Sequence, residues 1–254
     1  MAGPPSTRPD PWQGLRAFTA ARIALGRAGG SIPTGPLLDF QLAHARARDA
    51  VEHDLDANAV AGRLRDRGWD VRQLGSAAPD RRSFIQRPDL GRILGDASKA
   101  ALERCPPARH DAVLVVADGL SSMAVERHAA PLLDALRPLL AGAGWRLAPL
   151  CLVRQGRVAI GDEIGALVGA QLAVVLIGER PGLSSPDSLG VYLTWDPLPG
   201  RTNAERNCIS NIRPEGLGYA AAAHKLFHLM TAARLRRISG VDLKEEAPPL
   251  PGPG

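Results

Sequence analysis

The sequence predicts an α/β fold: a Rossmann-like, mostly parallel sheet flanked by helices, with a small helical annex at its N-terminal side. Three short apolar runs carry the prediction, AVLVVA, WRLAPLCLV and AVVLI at residues 112–117, 145–153 and 173–177. Runs of this length, rich in β-branched residues, are typical of buried strands. The segments between them have helical length, so strand and helix alternate as in βαβ units.

The N-terminal part divides into two predicted regions. Residues 1–14 are rich in Pro, Gly and polar residues and are expected to be disordered. Residues 15–108 are expected to form the helical annex. In that annex, apolar residues recur at helical spacing from Leu37 onward. A second helix is predicted for residues 56–67, with Gly68 as its C-terminal stop.

The string RPDLGR, residues 87–92, marks the later part of the annex. A short extended piece is expected before it, over residues 69–74. Pro88 disfavours helical geometry at the preceding residue, so a helix is predicted to begin near Asp89 and to run to about Arg104. The arginines of the string could contact a partner subunit or the amide-bearing edge of a ligand. The alternative is a capped helix with a solvated basic face.

The sheet domain is predicted to span residues 109–244, and the Pro/Gly tail at residues 245–254 is expected to be disordered. Residues 173–192 organise this domain, because a buried strand ends there in the turn GERPG and a second strand-like run, residues 189–195, begins there. Open α/β sheets bind ligands in the loops that follow buried strands. A loop that carries a cysteine and an Ala-rich helix over residues 217–237 complete the domain.

Composition argues against several classes of protein. The net charge of +5 comes from basic residues interspersed with acids, and aromatic residues make up 4% of the 254 residues, which disfavours nucleic-acid binding. No apolar run approaches the roughly 20 residues of a membrane span, and the N-terminus lacks the apolar region of a signal peptide. Three widely spaced cysteines argue against a disulfide framework or a zinc site and favour a cytoplasmic protein.

Individual motifs leave the chemistry open. GERPG is neither a phosphate-binding Walker loop nor a dinucleotide fingerprint, and the chain has no G-x-S-x-G elbow. His224 and His228 could share a helix face, but no third metal ligand is evident, so a surface or packed pair is favoured. Glu179 could be an acid–base group or a hydrogen-bonded loop residue, and Cys208 a nucleophile or an inert packing residue. The residues alone indicate a ligand-binding α/β domain.

Longer strings add a family resemblance. RPDLGR, VVADGLSS, VAIGDEIGALVGAQLAVVLIGERPGLSSPDSLGVYLTW and ERNCISNIRPEGL occur in this order. With them, residues 15–244 resemble the small subunit of ethanolamine ammonia-lyase. The resemblance implies that Val158, Glu179 and Cys208 line a site for adenosylcobalamin. It implies a base-on cofactor, so no histidine of this chain is expected to ligate cobalt. The three residues are expected to hold and orient the cofactor, and no residue of this chain is expected to be catalytic or to bind a metal.

The resemblance also implies a partner and a reaction. The large subunit, a β/α barrel, would hold ethanolamine, and a hetero-oligomer, expected to be a dodecamer, would convert it to acetaldehyde and ammonia by radical chemistry that the cofactor carries. The enzyme would be a carbon–nitrogen lyase of the bacterial cytoplasm, and the N-terminal segment leaves open whether it enters an ethanolamine-utilisation microcompartment. Two alternatives remain: a stand-alone α/β enzyme, and a scaffold subunit without cofactor contact whose GERPG loop is an interface.

Overall fold

The computed structural model describes residues 7–104 and 108–244, and these form one six-stranded sheet with helices on both faces. The strands are β1 (Val71–Gly75), β2 (His110–Ala117), β3 (Leu150–Arg154), β4 (Ala170–Gly178), β5 (Leu189–Trp195) and β6 (Arg206–Ile212). The helices are α1 (Thr34–Glu52), α2 (Ala57–Asp66), α3 (Arg81–Gln86), α4 (Asp96–Glu103), α5 (Ser122–Gly142), α6 (Ile160–Leu167) and α7 (Tyr219–Arg236). The α/β class is therefore confirmed.

The sheet is mixed. Its order is β1-β3-β2-β4-β5-β6, with β1, β3, β2 and β4 parallel and with β5 and β6 added as antiparallel strands. The parallel half arises because helices connect β2 to β3 and β3 to β4, as the alternating pattern predicts. This order differs from the 3-2-1-4-5-6 order of the classic dinucleotide-binding sheet, because after β3 the chain crosses to the far side of β2 and β1 occupies the place beside β3.

Two apolar layers enclose the sheet. On one face α2, α5 and α7 pack on the strands through buried side chains such as Leu64, Leu133 and Leu226. On the other face α6 packs on β2 and β4, with Ile160 and Ile164 against the strand side chains. The strands β2 and β4 are buried on both sides, which explains their continuous apolar sequence.

Four elements differ from the expectations. The loop predicted after β5 contains β6, and in the range expected to be a helical annex β1 joins the main sheet while α2 packs into the main core. The helix expected from Asp89 begins at Asp96, because a short 3-10 turn, Leu90–Arg92, and an extended residue precede it. β6 escaped prediction because its exposed face is polar and its apolar residues are few.

The N-terminal segment is ordered from Thr7 within the described residues. Arg8 and Arg27 exchange backbone hydrogen bonds of 2.7 and 2.9 Å, so part of the range expected to be disordered, residues 1–14, is paired. Residues 1–6 and the tail, residues 245–254, lie outside the described part. None of the helices described is long and apolar enough to cross a membrane.

Candidate functional site

The antiparallel half of the sheet has one covered face and one open face. α5 and α7 cover β5 and β6 on one side. On the opposite side α6 covers β2 and β4. On that side of β5 and β6, Tyr192 is half-buried and Cys208 is exposed. These two residues are directly paired across β5 and β6. With Gly190, two residues before Tyr192 on the same face, they form a surface that we call the open floor.

A pocket of about 440 Å³ adjoins the open floor at the carboxyl ends of the parallel strands. Its wall combines Leu120 from the β2–α5 turn, Val158 from the β3–α6 turn, Ile177 and Glu179 at the end of β4, and Tyr192 of the floor. Parallel strands end at one edge of a sheet, so three separate turns converge there. We call this the strand-end pocket.

The β2–α5 turn reaches this edge because its backbone crosses the end of β4 closely. Gly119 has a φ of +57°, and a Cβ at this position would overlap the carbonyl oxygen of Gly178. The Leu120 amide donates a 3.0 Å hydrogen bond to that same oxygen. A residue with a side chain would force the two turns apart, so glycine at position 119 is required for the pocket wall.

A buried carboxylate, Asp118, fixes the β3–α6 turn. Asp118 accepts hydrogen bonds from the Gln155 and Gly156 amides at 2.8 and 3.0 Å, and its Oδ2 lies 3.6 Å from a guanidinium nitrogen of Arg81. Burial raises the pKa of Asp118 to about 6, although the two amides and Arg81 oppose that shift. Sequence reasoning assigned no role to this residue; an aspartate directly after a buried strand, in VVADGLSS, was the available signal.

Glu179 is held at the edge of the open floor. Its amide donates to the Ser188 carbonyl at 2.9 Å, while its Oε2 accepts from the Ser188 hydroxyl and from the Asn211 amide. Its side chain lies over Gly190, where a Cβ would be 2.9 Å from Oε1. Within residues 7–104 and 108–244 no group donates a hydrogen bond to Oε1. One carboxylate oxygen thus anchors the side chain and the other can accept a hydrogen bond from a ligand.

The chemistry of Cys208 and Tyr192 argues against nucleophilic catalysis. Although Cys208 as a residue is exposed, partial burial of its thiol group raises its pKa, with a smaller contribution from the Glu179 charge, and a hydrogen bond with Tyr192 opposes the shift. Burial, with Cys208 and Glu179 adding to it, raises the pKa of Tyr192 to about 12. Both groups are neutral near pH 7, and a thiol needs its thiolate form to attack. The pair is suited to contact rather than to proton or group transfer.

The structure therefore brings Val158, Glu179 and Cys208 to one continuous surface. Val158 and Glu179 line the strand-end pocket, and Cys208 adjoins it through Tyr192. Tyr192, in GVYLTW, is the floor residue that sequence reasoning did not single out. The alternation of side chains along β5 could have identified it. One face of the strand is apolar and enters the main core, and Tyr192 belongs to the other face.

The RPDLGR string also approaches this surface. Arg87 forms an exposed ion pair with Asp89 at 2.7 Å, whereas Arg92 lines a second pocket next to Val158. The two candidate histidines, His224 and His228, lie on α7, which packs against the covered face of the sheet. Among the described residues no group of three His, Cys, Asp or Glu side chains is arranged to hold a metal ion.

A family model and individual relatives identify the same protein family. The family model of the ethanolamine ammonia-lyase light chain matches residues 9–244. The small subunit from Azotobacter vinelandii is 59% identical over 242 residues, which are 94% of this chain and 89% of that protein. Those from Ralstonia nicotianae and Pseudomonas putida are 57% and 56% identical, over 96% and 95% of this chain and 92% and 90% of theirs. The chain belongs to the ethanolamine ammonia-lyase small-subunit family.

Proposed function

We propose that this chain forms one wall of the adenosylcobalamin site of ethanolamine ammonia-lyase, and that the large subunit forms the other wall. The observation that carries the proposal is the convergence of Val158, Glu179 and Cys208 on the open floor and strand-end pocket. Family membership supports the partner, since a small subunit implies a large one. The fold supports the location, since open α/β sheets bind ligands at this edge.

The residues fit a corrin cofactor. A corrin is a wide, largely apolar disc with amides around its rim. Val158, Ile177 and Tyr192 offer apolar contact, and the free Oε1 of Glu179 can accept a hydrogen bond from an amide N–H₂ group. Cys208 is small, so it allows close approach to the floor. A pocket of about 440 Å³ cannot enclose a ligand of this size, which supports a second wall from another chain.

The role proposed for this chain is to hold and orient the cofactor. The bound cofactor supplies the radical chemistry that converts ethanolamine to acetaldehyde and ammonia. Glu179 is anchored by two hydrogen bonds, so it presents a fixed acceptor. Tyr192 and Cys208 are neutral near pH 7 and their pKa values are raised, so neither supplies a base or a thiolate nucleophile at that pH.

The assembly and its location follow from the same proposal. The complex would be a cytoplasmic hetero-oligomer, by resemblance a dodecamer, whose large subunit holds the substrate. Activity would then require both chains. The isolated small subunit would be inactive, which distinguishes this function from a stand-alone α/β enzyme.

Co-elution provides the test. The chain, its large subunit and adenosylcobalamin are mixed and separated by size exclusion, with corrin absorbance recorded across the protein peak. We expect corrin absorbance at the position of the complex when both chains are present. Association of the two chains without corrin would favour a scaffold role. Failure of the chains to associate would contradict the proposal.

A matched pair of variants assigns the site to this surface. Val158→Trp fills the strand-end pocket, and we expect it to lower corrin retention at least tenfold while the two chains still associate. Leu235→Trp is the control, because Leu235 is 83% exposed on α7, which packs on the covered face. Equal retention in both variants would place the cofactor elsewhere.

A further inference from the structure

A second pocket beside the strand-end pocket is strongly basic. It has a volume of about 380 Å³ and its lining contains four arginines and no carboxylate: Arg92, Arg157, Arg201 and Arg206. It shares Arg157 and Val158 with the strand-end pocket, so the two cavities are neighbours. We call it the basic pocket.

Two of these arginines are already neutralised. Arg206 forms a buried, bidentate pair with Asp162, with N–O distances of 2.6 and 2.7 Å. Arg201 pairs with Asp196 at 2.7 Å and with Glu205 at 2.6 Å. Their charges are compensated within the chain, so they shape the pocket more than they attract a ligand.

The other two arginines carry uncompensated charge. Neither Arg92 nor Arg157 forms an ion pair with a carboxylate in the described part of the chain. The guanidinium of Arg157 lies 4.3 Å from the centre of the Phe84 ring and donates to the Phe84 carbonyl at 3.3 Å, and its buried Nε has no partner among the described residues. Burial lowers the pKa of Arg157, and the charges of Arg81 and Arg92 add to that effect.

The position of Arg157 is fixed by its neighbours. Its amide donates a 2.7 Å hydrogen bond to Gly91, and a Cβ at Gly91 would come within 2.9 Å of the Arg157 side chain. The glycine of RPDLGR thus makes room for this arginine. Ala159, the N-cap of α6, also lines the pocket, so the positive end of that helix adds to the same field.

Resting on the proposed function, we propose that the basic pocket binds the phosphodiester of the cofactor's nucleotide loop, with Arg157 as the fixed donor and Arg92 as the second. The two pockets share Arg157 and Val158, so an anionic group of a ligand in the strand-end pocket can reach the basic pocket. In cobalamin the side chains of the corrin are neutral amides and the phosphodiester is the anionic group. A guanidinium whose charge is opposed by burial and by like charges gains most from such an anion.

The test uses two matched probes, cobinamide and cobinamide phosphate, which both lack the nucleotide base and differ by the phosphate. Each is titrated into the assembled complex of the two subunits, and the Kd is taken from the change in corrin absorbance. We expect the native complex to bind cobinamide phosphate roughly tenfold more tightly or better, the range of a hydrogen bond to a charged group.

Variants assign this preference to the basic pocket. Arg157→Gln should remove most of the preference for the phosphate form, and Arg92→Gln should remove part of it. Arg92 is exposed, so its replacement keeps the test valid if Arg157→Gln fails to fold. Arg236→Gln is the control of equal charge change, since Arg236 is exposed at the end of α7, and it should leave the preference unchanged.

The outcomes separate this inference from the proposed function. Binding of adenosylcobalamin with no phosphate preference, or a preference that both variants retain, would overturn the basic pocket as the phosphodiester site while leaving the proposed function in place. The variants could instead weaken association with the large subunit and leave the phosphate preference unchanged. That result would also overturn the inference, because it would indicate that these arginines contact acidic residues of the partner. A complex that binds neither adenosylcobalamin nor the probes would overturn both proposals.

Discussion

The parallel and antiparallel halves of the sheet differ in what covers them. In the parallel half β2 and β4 have helices on both faces, and almost every residue of these strands is buried. In the antiparallel half β5 and β6 have helices on one face, and β6 has buried residues such as Ile209 and exposed ones such as Cys208. The first arrangement supplies the core of the fold, and the second leaves a flat surface for a ligand.

The boundary between the halves is where the candidate site lies. The turn after β4 reverses the chain, so Glu179 stands at the junction of the two halves and touches both β4 and β5. α6 belongs to the parallel half, but its Asp162 pairs with Arg206 of β6. The contacts of Glu179 and the Asp162–Arg206 pair therefore hold the open floor next to the strand-end pocket.

The largest expected effect comes from breaking the contact that crosses the boundary. Asp162→Ala leaves the Arg206 charge buried without its partner, since both side chains are 2% exposed. Removal of one member of a buried pair costs about 3–5 kcal/mol. We expect the free energy of unfolding, measured by urea denaturation, to fall by that amount.

An exposed pair offers the control for this variant. Asp134→Ala removes the partner of Arg67 on the exposed side of α5, where the two side chains are 49% and 40% exposed, and we expect a loss of less than about 1 kcal/mol. Equal losses for the two variants would show that the Asp162–Arg206 pair does not join the halves.

The next effect concerns a turn of the parallel half and depends on pH. The pKa of Asp118 is raised to about 6 in the folded chain, against roughly 3.9 when unfolded. Between these values the unfolded chain releases the proton while the folded chain keeps it, so stability falls as pH rises through this window. The penalty is fully present above pH 6 and amounts to roughly 3 kcal/mol.

Asp118→Asn removes the titration. We expect the native chain to lose roughly 2 kcal/mol of unfolding free energy relative to this variant as the pH rises from 4 to 7. Denaturant titrations at several pH values measure it. A difference that stays constant over this range would contradict the assigned pKa of this carboxyl.

The smallest effect is expected on the open floor. Cys208 is exposed, so Cys208→Ala should change the unfolding free energy by less than about 0.5 kcal/mol and should weaken corrin retention modestly. Because its pKa is raised, iodoacetamide should modify the native thiol slowly at pH 7 and faster as the pH increases.

The alanine variant identifies the label as Cys208 by mass spectrometry. Fast modification at pH 7 would contradict a neutral thiol. Full loss of turnover with cofactor still bound would contradict a holding role for this residue.

Local pattern predicted the parallel half well. The strands β2, β3 and β4 are buried on both faces, so their sequences are continuously apolar and could be recognised as strands. The end of α2 was also predicted, since Gly68 follows the helix with a φ of +77°. β6 was missed because its buried residues recur at every third position, with a register shift in its pairing with β5, so its sequence lacks the apolar–polar alternation that indicates a strand.

The candidate site shows the same division. The resemblance of whole strings pointed to Val158, Glu179 and Cys208, and no local pattern could have joined three residues that are 50 positions apart at the extremes. The sequence by itself determined the α/β class, the buried strands and the family. The tertiary structure decided the sheet order, the open floor, and the charge left on Arg157, because these depend on which faces remain uncovered and which charges find partners after the chain has folded.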